Sequence, residues 1–262
     1  MKTYKDKTIL ITGASSGIGE AFAKRLNTLG AKLILTARSE DKLNNLASSM
    51  RNALVLPGDL ADKTFPKKLY NQISDKGIDV DIIINNAGFG FSGLFLDSNM
   101  KNYKEMLNVN IYSLMDLSYL FLKDMVIKKR GGIINISSLA SYQPMPYFAV
   151  YAATKSFVTS FTLALHEEYR DQGINILGVC PGYTKTNFNK RAQISSKSIP
   201  GYIMTSEDVV EQSLKAFSKG KYIVINGKIN KFAKFITSML PTRFAMRMAK
   251  NIIKKGIENN SW

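Results

Sequence analysis

A chain of 262 residues, 45% of them hydrophobic, fits one large α/β domain, or at most two small ones, and excludes intrinsic disorder. Cys180 is the single cysteine, which excludes an internal disulfide and fits a reducing compartment. The formal charge of +16 favours anionic partners: phosphorylated cofactors, acidic proteins, membrane surfaces or nucleic acid.

Strands and helices alternate from the first residues. Thr8–Thr12 reads as a buried strand, and a glycine loop then opens a helix through about Leu29. Further strands are expected at Lys32–Thr36, Ala53–Leu56, Asp81–Asn85, Gly132–Ile136, Ile174–Val179 and Tyr222–Ile225. These short β-branched runs lack polar alternation, as parallel strands covered on both faces do. The segments between them are helix-length, so the expected fold is α/β: one doubly wound parallel sheet of about seven strands built from right-handed βαβ units. Residues 184–205 break this rhythm as a long polar stretch, like a lid over a site. From Lys215 onward there are eleven lysines and arginines and one acid, Glu258. No run of about 18 uncharged apolar residues is present to span a bilayer. Thr8–Ile11 is too short for a secretory leader, so a cytoplasmic location is expected.

The loop Thr12-Gly13-Ala14-Ser15-Ser16-Gly17-Ile18-Gly19 follows a strand and opens a helix. Glycines there let backbone approach a pyrophosphate, and the helix N-terminus attracts its charge. Downstream stands Ser138-x12-Tyr151-x3-Lys155. Tyr151 and Lys155 share one helical face. A phenol is a poor acid or base at neutral pH, and a neighbouring ammonium favours its ionised form. The Ser138 hydroxyl, from another segment, can hydrogen-bond a substrate oxygen. At the end of the second strand, where an acid would meet a ribose 2′-hydroxyl, stands Arg38. A guanidinium suits a 2′-phosphate, so NADP(H) is expected over NAD(H). Asp59-Leu60 offers a contact to the adenine, and Asn86-Ala87-Gly88 a lining for the cofactor's sugar. His166 has no cluster of metal ligands around it in the sequence, so no metal site is expected.

The Thr12–Gly19 loop, Asn85-Asn86-Ala87-Gly88, Asn110, Ser138, Tyr151, Lys155 and Pro181-Gly182 resemble the short-chain dehydrogenase/reductase family over about residues 5–225. The resemblance implies an NADP(H)-dependent oxidoreductase acting on C=O or CH–OH groups. It would carry a Rossmann domain over residues 1–226, leaving 227–262 as a basic helical extension. By the same resemblance Tyr151 donates or accepts the carbonyl proton. Lys155 binds the nicotinamide ribose and lowers the tyrosine pKa, and Ser138 orients the carbonyl. Asn110 holds a water that relays protons to Lys155. Gly13, Ser15, Ser16, Gly17, Ile18 and Gly19 cradle the cofactor, which Pro181, Gly182, Thr184 and Thr186 meet at the nicotinamide end. The alternative is a non-catalytic NADP-binding sensor or scaffold.

The segments expected to flank the reacting carbon are Phe89-Gly90-Phe91, Leu139–Tyr147, Tyr183 and Phe188. Their Phe, Tyr, Met and Pro content suggests an apolar small-molecule substrate. In the tail, Ile229, Phe232, Ala233, Ile236 and Leu240 form one apolar helical face. Arg243, Arg247, Lys250 and Lys254 form a basic stripe that either faces solvent or meets an anionic membrane or acidic carrier protein. No nucleic-acid motif accompanies the charge. A homo-oligomer, dimer or tetramer, is expected.

Overall fold

The structure, a computed structural model, describes residues 4–193 and 203–258. Among them, strands β1 (Thr8–Thr12), β2 (Lys32–Thr36), β3 (Ala53–Val55), β4 (Ile82–Asn85), β5 (Gly131–Ile136), β6 (Ile174–Cys180) and β7 (Ile223–Ile225) form one parallel sheet in the order β3-β2-β1-β4-β5-β6-β7. The helices are α1 (Gly17–Thr28), α2 (Glu40–Ser48), α3 (Phe65–Ser74), α4 (Met100–Leu107), α5 (Ser113–Lys128) and α6 (Ala149–Tyr169). After them come α7 (Phe188–Ala192), α8 (Ser206–Phe217), α9 (Lys228–Met239) and α10 (Thr242–Glu258). This is the doubly wound, single-domain α/β architecture expected from the sequence.

The unbroken apolar runs follow from covering both faces. Side chains alternate along a strand, so Ile9 and Ile11 of β1 join one core with Phe22 and Leu26 of α1 and Val210 and Leu214 of α8. Leu10 between them joins the other core, with Leu69 of α3 and Leu117 and Phe121 of α5. All of these are almost fully buried, and each stabilises the fold by about 1.5–3 kcal/mol relative to exposure.

Strand ends differ from expectation by a residue. β4 starts at Ile82, not Asp81; the Asp81 backbone still bonds Thr8 and Gly132 on either side, and its carboxylate accepts from Lys7 Nζ at 2.9 Å and from the Thr8 amide at 3.0 Å. β3 stops at Val55 rather than Leu56, β5 begins at Gly131, β6 runs on to Cys180, and β7 begins at Ile223. α1 ends at Thr28, and the chain turns through Gly30 at φ +80°, a conformation that glycine adopts without a Cβ penalty. Of the long polar stretch, residues 194–202 lie outside the described residues. The rest carries α7 and a single parallel bridge between Thr184 and Met204.

Two features place the site. The chain runs outward from β1 to β3, then returns so that Ile9 of β1 pairs with Ile82 of β4. Strand order reverses there, and in such sheets ligands bind at the carboxyl ends of the strands beside the reversal. A buried polar chain then fixes α5 and α6 against that end. Asn85 Nδ2 donates to Ser118 Oγ at 3.1 Å and to Asn135 Oδ1 at 2.9 Å, and Asn135 Nδ2 donates to Thr162 Oγ1 at 2.9 Å.

Candidate active site

The glycine loop is stapled to the end of β4. Thr12 Oγ1 accepts from the amides of Asn86 and Ala87, each at 3.0 Å, and Asn86 Nδ2 donates to the carbonyls of Thr12 at 2.9 Å and Gly13 at 3.2 Å. The approach is close enough to demand glycine. Gly13 sits at φ +64°, and a β-carbon there would lie 2.9 Å from Ala87 Cα; one at Gly19 would overlap the Gly13 carbonyl. α1 thus presents its N-terminal amides to an open groove, a natural anion site.

That groove is part of a cavity of about 750 Å³. Gly13, Ser15, Ser16, Gly17 and Ile18 line its β1 end, with Arg38 and Leu60. Asn86, Ala87 and Gly88 follow, and Pro181, Gly182, Thr184 and Thr186 line the opposite wall. Ser138, Tyr151 and Lys155 open into the same space. Three expected residues are not on the wall. Gly19 is buried inside α1. The Asp59 carboxylate accepts from the Ala61 amide at 2.9 Å, capping a turn. Asn110 is fully buried.

Asn110 lies in a π-helical turn, Asn108–Tyr112, between α4 and α5. Its Oδ1 accepts from the Phe89 amide at 3.1 Å, and its Nδ2 donates to Phe89 O and Thr154 Oγ1, both at 3.0 Å. The side chain therefore pins the strand exit that carries Gly88. A β-carbon on Gly88 would be 3.2 Å from Asn110 Oδ1 and 3.4 Å from Lys155 Nζ, so these two groups converge on one glycine.

α6 delivers the tyrosine and the lysine one turn apart, both buried at 7% and 5% exposure. Tyr151 packs between Phe148, 4.4 Å between ring centroids, and Phe188, 5.3 Å. Burial pushes its phenol up to about 12, and a hydrogen bond with Ser138 pulls the other way. Burial pushes the Lys155 ammonium down to about 8. Its Nζ donates to Ile136 O at 2.8 Å and sits 5.8 Å from the Tyr151 ring centroid. The expected lowering of the tyrosine pKa by Lys155 is not seen in this structure: desolvation raises the phenol, and the group that lowers it is Ser138. Ser138 is held at the head of a short 3-10 turn, Leu139–Tyr142, where its Oγ accepts from the Ala140 amide at 3.1 Å.

Several wall residues went unread in the sequence. The Arg191 guanidinium lies 3.8 Å over the Phe89 ring. Partial burial, and then the neighbouring Arg38 guanidinium, holds it below the usual arginine range. Asn230 of α9 occupies the space a β-carbon would need at Gly182 and donates to Asn226 O at 2.7 Å. It seats α9 over the cavity, so Ile229, Phe232 and Ile236 become its roof, joined by Met248 and Ile252 of α10. The apolar face of α9 was legible; where it would dock was not. Phe91 and Tyr147, expected near the reacting carbon, line a separate, smaller pocket. His166 Nδ1 bonds Ile176 O at 3.0 Å as a structural side chain.

A glycine-cradled groove at a sheet's reversal point, continuous with a Ser–Tyr–Lys set whose tyrosine and lysine are buried, defines a nicotinamide-dependent oxidoreductase. The residues present fit that dinucleotide: the cradle closes on any added β-carbon, and the groove ends at a helix N-terminus. Residues 7–196 match the short chain dehydrogenase family. A very-long-chain 3-oxoacyl-CoA reductase of Macaca fascicularis is 32% identical over 94% of this chain and 79% of its own length. The ketoacyl reductase HetN of a Nostoc species is 30% identical over 86% of this chain and 80% of its own. A Sphingobium yanoikuyae short-chain dehydrogenase solved in complex with NADPH superposes with a TM-score of 0.80 at 27% identity, covering 90% of this chain and 96% of that one. The chain belongs to the short-chain dehydrogenase family and is an oxidoreductase.

Proposed function

We propose that the protein reduces a ketone carried on an elongated apolar substrate, of the class a 3-oxoacyl chain represents, with NADPH as reductant; the reverse oxidation uses the same groups. The observation that carries this is Ser138 beside the buried Tyr151, opening into a cavity whose roof is Ile229, Phe232, Ile236 and Met248. The names of the macaque and Nostoc relatives support the substrate class. Arg38 and Arg191, mutually repelling at one end of the groove, support a 2′-phosphate between them, and the NADPH-bound relative agrees.

In this reading Gly13, Ser16, Gly17 and Ile18 hold the pyrophosphate, Arg38 the 2′-phosphate, and Thr184 with Thr186 the nicotinamide end. The chemistry a reduced nicotinamide supplies when bound is hydride delivery to the carbonyl carbon. Ser138 orients the carbonyl oxygen. Tyr151, neutral well beyond physiological pH, is in its proton-donating form and protonates that oxygen as negative charge develops. Lys155 stands beside it as the cation that steadies the resulting phenolate, with Asn110 fixing the strand exit between them. The apolar roof excludes water, which strengthens each of these charge effects.

The test is NADPH oxidation over a panel of 3-oxoacyl thioesters of rising chain length against small polar ketones. We expect kcat/KM to climb with chain length. A flat profile, or a preference for polar ketones, overturns the apolar assignment; no turnover with any carbonyl leaves a cofactor-binding sensor. A homo-oligomer is part of the same reading, supported by Tyr112, Tyr119 and Ile127, which stand exposed along and beside α5. A reducing, cytoplasmic setting is supported by Cys180, buried and unpaired.

A further inference from the structure

Helices α9 and α10 carry apolar side chains that the fold does not cover. On α9, Phe232, Phe235 and Met239 are 66%, 56% and 70% exposed; on α10, Phe244 and Met248 are 54% and 42% exposed. Contiguous exposed apolar surface of this kind marks a binding face. Phe232 and Met248 also line the cavity, so the patch is continuous with the cavity's own apolar wall.

The charge around the patch has one sign. Lys228, Lys231 and Lys234 stand on α9, and Arg243, Arg247, Lys250 and Lys254 on α10, while the one described acid in either helix, Glu258, is 3.6 Å from Lys254. At ~100° per residue the four α10 cations fall in a single stripe, turned away from the buried Ala245, Ala249 and Ile253. An occupant must therefore be anionic at its surface and apolar beneath it. A bilayer with acidic headgroups is both. An acidic folded protein supplies only the charge, and a second copy of a +16 chain brings the same sign. No described helix is long and apolar enough to cross a membrane, so the geometry is that of an amphipathic pair lying in the interface.

We propose that α9 and α10 dock the protein on an anionic lipid bilayer, with Phe235, Met239 and Phe244 in the interface and the cavity mouth facing the lipid. An apolar substrate then passes from the bilayer to Tyr151 without crossing water; that last clause alone rests on the substrate class proposed above.

Co-sedimentation with vesicles tests the docking without any turnover measurement. The probes are phosphatidylcholine vesicles, and the same vesicles doped with phosphatidylglycerol. Each basic side chain near an anionic surface strengthens binding roughly five-fold, so the doped vesicles should bind at least about ten-fold more tightly, less so as salt rises. The double variant Arg243→Glu/Arg247→Glu should lose that preference. Phe235→Ser/Met239→Ser, at exposed positions off the cavity wall, should weaken binding several-fold while turnover of a water-soluble ketone stays as in the parent chain. Equal binding to both vesicles, no binding at low salt, or variants that bind like the parent overturn the proposal. So does binding to polyglutamate in place of vesicles, or a dimer that Phe235→Ser dissolves. Loss of soluble turnover in the parent chain would instead strike the reductase reading and leave the docking result intact.

Discussion

At Tyr151 the physics of burial and the physics of the hydrogen bond oppose each other, and burial wins, pushing the phenol up to about 12. Tyr151→Phe removes one oxygen from a ring wedged between Phe148 and Phe188, so circular dichroism and cofactor binding should be unchanged. Turnover should fall by about 100-fold or more, the worth of a positioned acid; retention of more than roughly a tenth of the activity sinks the assignment. Lys155 yields a pH prediction. Its folded value of about 8 lies below the ordinary 10.5, so the cation is present below that value and lost above it. kcat/KM for NADPH in the reductive direction, which reports the free enzyme, should decline as pH rises through about 8. A profile flat to about pH 10, the ordinary lysine range, would show that burial does not depress the group. Ser138, Tyr151 and Lys155 were legible because their spacing is local to one helix and one preceding turn. The direction in which the tyrosine titrates was not. It depends on Phe148, Phe188 and the roof, which the fold assembles from distant segments.

Among the elements, α1 is the most constrained by what surrounds it. Alanine in a helix gains about 1 kcal/mol over glycine, yet at Gly19 the added carbon would overlap the Gly13 carbonyl and crowd Asn86 Nδ2. Overpacking costs about 1–3 kcal/mol, so Gly19→Ala should destabilise on balance, lowering the denaturant midpoint and NADPH affinity together. A stability equal to or above the parent's would mean the loop relaxes freely. The strands were readable because a sheet covered on both faces leaves unbroken apolar runs. Their ends were less so: Asp81 lies outside β4 although its backbone still bonds both neighbouring strands while its carboxylate pairs with Lys7 and Thr8. The tail was readable as two helices with a basic stripe at Arg243, Arg247, Lys250 and Lys254. Periodicity reports which residues share a face, not what that face meets. That α9 roofs the cavity depends on Asn230 filling the space at Gly182, a contact between positions 48 apart in the numbering.

For the whole molecule, a ligand that binds only the folded state stabilises it by mass action. NADPH at about 100 times its dissociation constant adds about 2.7 kcal/mol. For a chain of this size each kcal/mol moves the melting temperature by about 2–4 °C, so a rise of roughly 5–10 °C is expected. NADH at the same concentration should give a smaller rise, and Arg38→Asp should erase the difference. Equal shifts from both cofactors in the parent chain would refute the role given to Arg38.

The pairing of Ile9 with Ile82 also sets an order of events as the chain folds. β1, β2 and β3 can assemble from neighbouring sequence, but the glycine loop has no staple until Asn86 arrives beside Thr12. Closing so long a loop is slow compared with local pairing. During synthesis, a chain that has emerged only through β3 thus carries the nucleotide-cradling motif without the geometry to use it. Competence to bind arrives late, in the step that joins the two halves of the sheet.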